Sequence, residues 1–387
     1  SLHVGHGRGQ DAVHGRRVLL TSERRRSDRL ILDPETGLLC GVVDLGHCTE
    51  VRRIDPNVRR RQFLGPQAGG RKLFQTRFGD VESTRKFGFW RQLVHLFGRE
   101  SRRRRRRNGL SIELWTYAPG APHIDRGLVD PYAPNKQLQV ATAIDLGPFA
   151  GPEDATLGLD GFVYAATESG HIVRVRNRSV EKFAFVGGRP LGIETDRDGS
   201  LLLANAYIGL QRVSRDGTVS VLYGGGDTDV FANNLAVGGN GVIYFTEASR
   251  KFGAAEFRDT MEATLYDVME HGGHGRVLAY DPATGSAEVL LDNLAYANGI
   301  AISPENDFLL IVEMNEYRIL KHWLAGPDRG RTDVLLDNLP GFGDNLKSGL
   351  NGRYWLGFAA PRKAIVDRLS DKPWLRKIVM RLPDSVR

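Results

Sequence analysis

One short pattern recurs five times between residues 153 and 352. A residue in a polar or glycine-flanked setting is followed eight or nine positions later by Gly or Asp, and then by an apolar run. The runs are Phe162–Thr167, Ser200–Asn205, Val242–Glu247, Phe308–Met314 and Arg353–Phe358. Measured from the first residue of each run, the intervals are 38, 42, 66 and 45 residues. One four-stranded propeller blade takes about 40–50 residues. The 66-residue interval holds an insertion near Lys251–Gly275, whose Thr260–Glu270 core has a helical pattern. The segment Leu290–Leu294 (LLDNL) repeats at Leu335–Leu339, 45 residues on. Asp281–Gly285 and Arg215–Gly217 supply hairpin turns within blades. The pattern predicts an all-β chain, a β-propeller of four-stranded antiparallel blades with five blades evident. Each apolar run is read as the innermost strand of its blade, entered from its heading residue. A sandwich or barrel has no reason to keep one register five times.

The residues heading the five patterns are Glu153, Leu191, Asn233, Asn298 and Asp344. Four of them carry side-chain oxygens. In a closed radial repeat, equivalent positions converge on one axis, which turns Glu153, Asn233, Asn298 and Asp344 into one candidate cation site. Two carboxylates balance one divalent ion. Hard oxygens of mixed charge suit Ca²⁺, which takes 6–8 of them; Mg²⁺ and Mn²⁺ are the alternatives. Singly, Asn233-Asn234, Asn298-Gly299 and Asp344-Asn345 read equally well as turn or capping residues. The shared register is what makes them a set.

Charge divides the chain. Residues 1–130 hold 26 Lys+Arg against 14 Asp+Glu, whereas residues 131–387 hold 27 against 32, within a total net charge of +7. The six-Arg run Arg102–Arg107 and the spacing of Phe89, Trp90, Leu93, Leu96 and Phe97 fit a solvated tail, or an arm for nucleic acid or an anionic membrane. We therefore place a boundary near 127. Residues 1–127 form an Arg-rich, disordered or non-native extension, and residues 128–387 form the propeller. Cys40 and Cys48 lack zinc-ligand spacing and make no disulfide scaffold. No run is long and apolar enough to span a bilayer, and no signal peptide is visible. The first methionine is Met261, which points to a fragment or a processed form. Within Lys363–Leu382, apolar spacing divided by Pro373 predicts two helices, either packed on the core or facing a membrane.

Several segments together resemble the strictosidine synthase-like family, kin to the gluconolactonases and paraoxonases. They are Gly151–Asp154 (GPED), Gly188–Gly192 (GRPLG), Ala204–Leu210 (ANAYIGL), Val242–Thr246, Gly275–Pro282, Ala297–Gly299, His322–Pro327, Asn338–Gly341 and Asp344-Asn345. The resemblance covers about residues 128–387. It implies a six-bladed propeller with Ca²⁺ in the central channel, and a chain that stops before the last blade. It matches Glu153, Asn233, Asn298 and Asp344 to ligand positions, with Asp154, Asn234 and Asn345 beside them. Two departures stand out. The position of the paraoxonase catalytic histidine is Leu191 here. The glutamate that serves amine–aldehyde condensation in strictosidine synthase belongs to the final blade, beyond this sequence.

The expected activity is metal-dependent hydrolysis of small esters or lactones, with Asp344 as first choice for the base and Glu153 as second. No Gly-x-Ser-x-Gly elbow is present. His271 and His274 either face the channel mouth from the insertion or form a polar loop end. The alternatives are a non-catalytic binding propeller with a structural ion, and a condensing enzyme of the strictosidine synthase kind.

Overall fold

The computed structural model describes residues 18–21, 29–33, 38–42, 125–129, 132–134, 142–224, 230–257, 259–349 and 353–382. The chain divides into two compact units, one of residues 1–54 and 115–373, the other of residues 55–114 and 374–387. The six-Arg run and the Phe89–Phe97 pattern lie outside the described residues.

The first unit is a β-propeller. Its first blade is β5 (Ala155–Leu157), β6 (Val163–Ala166), β7 (His171–Arg176) and β8 (Ser179–Phe185). The second is β9 (Pro190–Thr195), β10 (Leu201–Asn205), β11 (Gly209–Val213) and β12 (Val219–Tyr223). The third is β13 (Ala232–Val237), β14 (Ile243–Glu247), β15 (Gly275–Asp281) and β16 (Ser286–Leu294). The fourth is β17 (Ala297–Ile302), β18 (Phe308–Glu313), β19 (Arg318–Trp323) and β20 (Thr332–Leu336). The fifth shows two strands, β21 (Gly341–Ser348) and β22 (Tyr354–Pro361). Each blade is an antiparallel meander in sequence order. A further sheet takes β1 (Val18–Thr21), β2 (Arg29–Asp33) and β3 (Leu38–Val42) from the Arg-rich third. It joins them to β4 (Thr142–Asp145), with β1 parallel to β4. β3 lies against β5, β21 and β22.

Innermost strands pack in series, β5 on β9, β9 on β13, β13 on β17 and β17 on β21. This corrects one expectation. The five apolar runs are the second strands of their blades, and the heading residues lie on or just before the innermost ones. The physical reason is burial. Second strands are covered on both faces; every residue of β10, β14 and β18 is buried, so they read as continuous apolar runs. Innermost strands such as ANNLAV and ANGIAI carry polar side chains toward the hub and read as turns.

The core fills the spaces between neighbouring blades. Tyr164, Ile172, Ile193 and Leu203 join blades one and two; Leu202, Phe245 and Leu278 join two and three; Tyr244, Val277 and Ile311 join three and four. Each such side chain contributes about 1.5–3 kcal/mol on burial.

The insertion forms helix α1 (Thr260–Glu270). Asp259 caps it, Oδ1 accepting from the Glu262 amide at 2.8 Å, and the helix ends at His271 in the left-handed region, φ 60°. Pro373 divides the C-terminal stretch as predicted, into α2 (Ala364–Leu369) and α3 (Pro373–Val379). Proline serves as the first residue of α3, where its missing N–H costs nothing. Among the described residues, no helix is long and apolar enough to cross a membrane.

Candidate metal centre

The innermost strands are irregular at the heading residues. The β13–β14 register shifts between Ala232 and Leu235, β17–β18 between Ala297 and Ile300, and β21–β22 between Gly343 and Leu346. These bulges hold Asn233-Asn234, Asn298-Gly299 and Asp344-Asn345. A bulge adds an unpaired residue and re-aims a side chain, so three blades use one device to direct polar residues at the hub.

Glycines allow the strands to come this close. A Cβ at Gly192 would lie 2.8 Å from the Asn234 Cα, and one at Gly299 would run into the Asp344 carbonyl and the Leu346 amide. Gly299→Ala therefore forces β17 and β21 apart. The expected cost is about 1–3 kcal/mol, the range for overpacking, read as a lowered urea midpoint.

Of the four oxygen-bearing heads, Asn298 and Asp344 touch directly, the Asn298 Nδ2 donating to Asp344 Oδ1 at 2.9 Å. Burial pushes the Asp344 carboxyl above the ordinary carboxylate range, and the Asn298 hydrogen bond pulls it back. Asn233 Oδ1 and Asn298 Oδ1 are both buried with no hydrogen-bond partner. An orphaned buried acceptor costs about 1–3 kcal/mol; one of these two belongs to the amide that is bonded to Asp344, and a hard cation relieves such groups. Glu153 lies on the same ring, 16% exposed in its side chain; its Oε2 accepts from Arg189 Nη2 at 3.3 Å. Among the described residues, no group of three or more His, Cys, Asp and Glu is gathered as a metal site. The present set has two carboxylates, and its other two donors are amides.

Their sequence neighbours serve the frame instead. Asn234 Nδ2 donates to Asn345 Oδ1 at 2.9 Å, and Asn345 Nδ2 donates to the Glu153 carbonyl at 3.1 Å. Thr246 Oγ1 donates to the Asn298 carbonyl at 2.6 Å and accepts from the Asn234 amide at 3.0 Å. Asp154 is fully buried and turns away, pairing with Lys347 Nζ at 2.8 Å and accepting from the Ile193 amide at 3.0 Å. Burial raises its carboxyl to about 6, against the pull of Lys347.

Sequence reasoning missed Arg189 and Lys347. Arg189 lies in the GRPLG segment, where its guanidinium also donates to the Gly151 carbonyl at 2.8 Å. Lys347 carried no local signal. Leu191, at the second blade's heading position, is buried in a cluster with Phe231, Tyr296 and Met314, so this side of the hub is apolar. His271 and His274 are engaged by the insertion's own surroundings, His271 Nε2 with Glu316 Oε1 and His274 Nε2 with Glu270 Oε1, both at 2.9 Å.

Comparison with known proteins matches residues 233–327 to a strictosidine synthase family model and residues 130–175 to a strictosidine synthase-like N-terminal model. An adipocyte plasma membrane-associated protein from Salmo salar is 33% identical over 276 residues, 65% of this chain and 64% of its own length. The chain thus spans less than two thirds of that relative. The Rattus norvegicus protein of the same name is 32% identical over 273 residues, 64% of this chain and 70% of its own. Among solved structures, a gluconolactonase from Xanthomonas campestris aligns with a TM-score of 0.44 and 16% identity, covering 53% of this chain and 68% of its own. By the family-model and sequence matches, the chain belongs to the strictosidine synthase-like family of which the adipocyte plasma membrane-associated proteins are relatives.

Proposed function

We propose that this chain is a calcium-dependent hydrolase of small esters or lactones, with the ion held at the hub by Glu153, Asn233, Asn298 and Asp344. The observation that carries the reading is the pair of orphaned amide oxygens, Asn233 Oδ1 and Asn298 Oδ1, on the ring that also bears two carboxylates. That donor set, hard and doubly negative, fits Ca²⁺ better than a transition metal. When bound, the cation supplies Lewis acidity toward a carbonyl oxygen. The chain's own residues do the rest. Asn298 holds one Asp344 oxygen, so the carboxyl is oriented to take a proton from an attacking water. Glu153 is the second choice for that role. Arg189 ties Glu153 to the Gly151 backbone and fixes its direction. Leu191, Phe231 and Tyr296 give an apolar wall suited to the acyl or aryl part of a substrate.

Calcium titration of the chain tests this, with thermal stability and aryl-ester or lactone hydrolysis followed together. Both are expected to rise with calcium, and Glu153→Gln should weaken the calcium response by about tenfold or more, since one of two carboxylates is lost. Stability that rises without turnover replaces the hydrolase by a binding propeller whose ion is structural. No response in either readout removes the cation site.

A further inference from the structure

Helix α1 is joined to the fourth blade by three polar contacts from one of its faces. Thr264, Asp267 and His271 are spaced three and four apart, as one helical face requires. The Thr264 hydroxyl donates to the Thr260 carbonyl at 2.8 Å, so at 2.6 Å the Tyr296 hydroxyl donates to Thr264. Asp267 Oδ1 accepts from Asn315 Nδ2 at 3.0 Å. His271 bonds Glu316. The receiving segments adjoin the cation site. The Met314 and Asn315 amides donate to the carbonyls of Tyr296 and Ala295, at 3.0 and 3.1 Å. Met314 Sδ lies 3.6 Å from Asn298 Nδ2. Tyr296 itself sits at φ 63°, a conformation a bulky residue adopts only when its surroundings enforce it.

Asp267 and Asn315 are both fully buried, and both leave one oxygen unpartnered, Asp267 Oδ2 and Asn315 Oδ1. With Asp267 ionised, the pair offers no donor to either Oδ2 or Asn315 Oδ1, and the Ser249 hydroxyl is the side-chain donor that favours the ionised form. A single proton on Oδ2 removes both deficits at once, because an acid and a primary amide are complementary through two parallel hydrogen bonds. We propose that Asp267 is held as a neutral acid whose Oδ2–H donates to Asn315 Oδ1, and that through Asn315 it positions the Tyr296–Asn298 segment of the cation site. Asp267 is thus a positioning residue, and the positioning half rests on the calcium reading above.

The surroundings agree. Burial raises the Asp267 carboxyl to about 7, helped by Glu270, while Ser249, His274 and Asn315 pull it down. The charged and titratable groups around it are Glu270 and His271 on α1, His274 before β15, Lys251 after β14 (bonded to Glu270 at 2.7 Å) and Glu316. The folded value lies above the unfolded 3.8. Stabilisation from the pair is therefore complete below 3.8 and is lost as pH rises through about 7.

The test compares wild type with Asp267→Asn and Asp267→Ala. Asparagine preserves the donor and acceptor of the neutral acid and cannot titrate. Between about pH 5 and about pH 8, the wild-type Tm should fall by about 5 °C more than that of Asp267→Asn. At about pH 8, Asp267→Asn should bind calcium at least as tightly as wild type, whereas Asp267→Ala should bind it about tenfold more weakly at either pH. Infrared difference spectra of the calcium-free protein at about pH 5 should show a protonated-carboxyl band that Asp267→Asn removes. Absence of that band overturns the neutral acid, even if Asp267→Ala does not fold. Equal pH dependence in wild type and Asp267→Asn overturns it as well. If the band is present but wild type ignores calcium, the positioning half fails together with the cation reading.

Discussion

Asp344→Asn is expected to lower calcium-dependent ester or lactone turnover by at least about 10²-fold, the low end of what a positioned base contributes. It should also remove most of the thermal stabilisation that calcium gives. Two effects combine. On the proposed reading, the substitution takes away one of the two charges that would balance a divalent ion, and it takes away the oxygen that would accept the proton. At calcium about 100-fold above Kd, wild type should gain about 2.7 kcal/mol from binding, and the variant much less. The Asn298 Nδ2 contact at 2.9 Å can be kept by an asparagine carbonyl, so the fold itself should survive. Turnover and Tm measured with and without calcium separate the roles. If hydrolysis continues at the wild-type rate with the ion bound, Asp344 is not the base, and Glu153 takes its place.

Lys347→Met should cost about 3–5 kcal/mol of folding stability, the penalty for leaving a buried charge without its partner. Lys347 Nζ serves three oxygens, Asp154 Oδ2 at 2.8 Å, Glu194 Oε1 at 2.7 Å and the Ile193 carbonyl at 2.8 Å. Lys347 is 8% exposed and Asp154 not at all. With Lys347 itself in blade five, these partners in blades one and two let the ion pair tie the ring across its hub. Adding Asp154→Asn to Lys347→Met should recover a large part of the loss, because the stranded carboxylate is then gone. Urea denaturation of the two single variants and the double gives the coupling directly. A Lys347→Met protein as stable as wild type would show that the buried pair is energetically neutral here.

Residue patterns carried the architecture a long way. The spacing of the five apolar runs located five blades and the position of the insertion, because burial on both faces leaves an uninterrupted apolar run that survives in one dimension; it gave no sign of the further sheet of β1–β4. The Thr260–Glu270 helix and the Pro373 division were legible for similarly local reasons, a helical residue pattern and a residue without an N–H. Heading residues were legible as a register, though their strands were not. Innermost strands are bulged and polar on the hub side, so neither alternation nor apolarity marks them.

The sequence by itself determined that four oxygen-bearing residues stand at equivalent places in a radial repeat, and equivalence in a ring implies convergence. Only the tertiary structure decided which polar atoms are spent on the frame and which are left over. Asp154, Asn234 and Asn345 are as well placed in sequence as Glu153, Asn233 and Asp344, but their side chains bond one another, Lys347 and the backbone of neighbouring blades. Lys347 meets Glu194 across 153 positions, and Asn345 meets Glu153 across 192. Contacts at that separation leave no local periodicity. They follow from the radial arrangement, which turns innermost strands of blades one, two and five toward one hub, and from the cost of an unpaired buried group, which selects among the side chains that meet there.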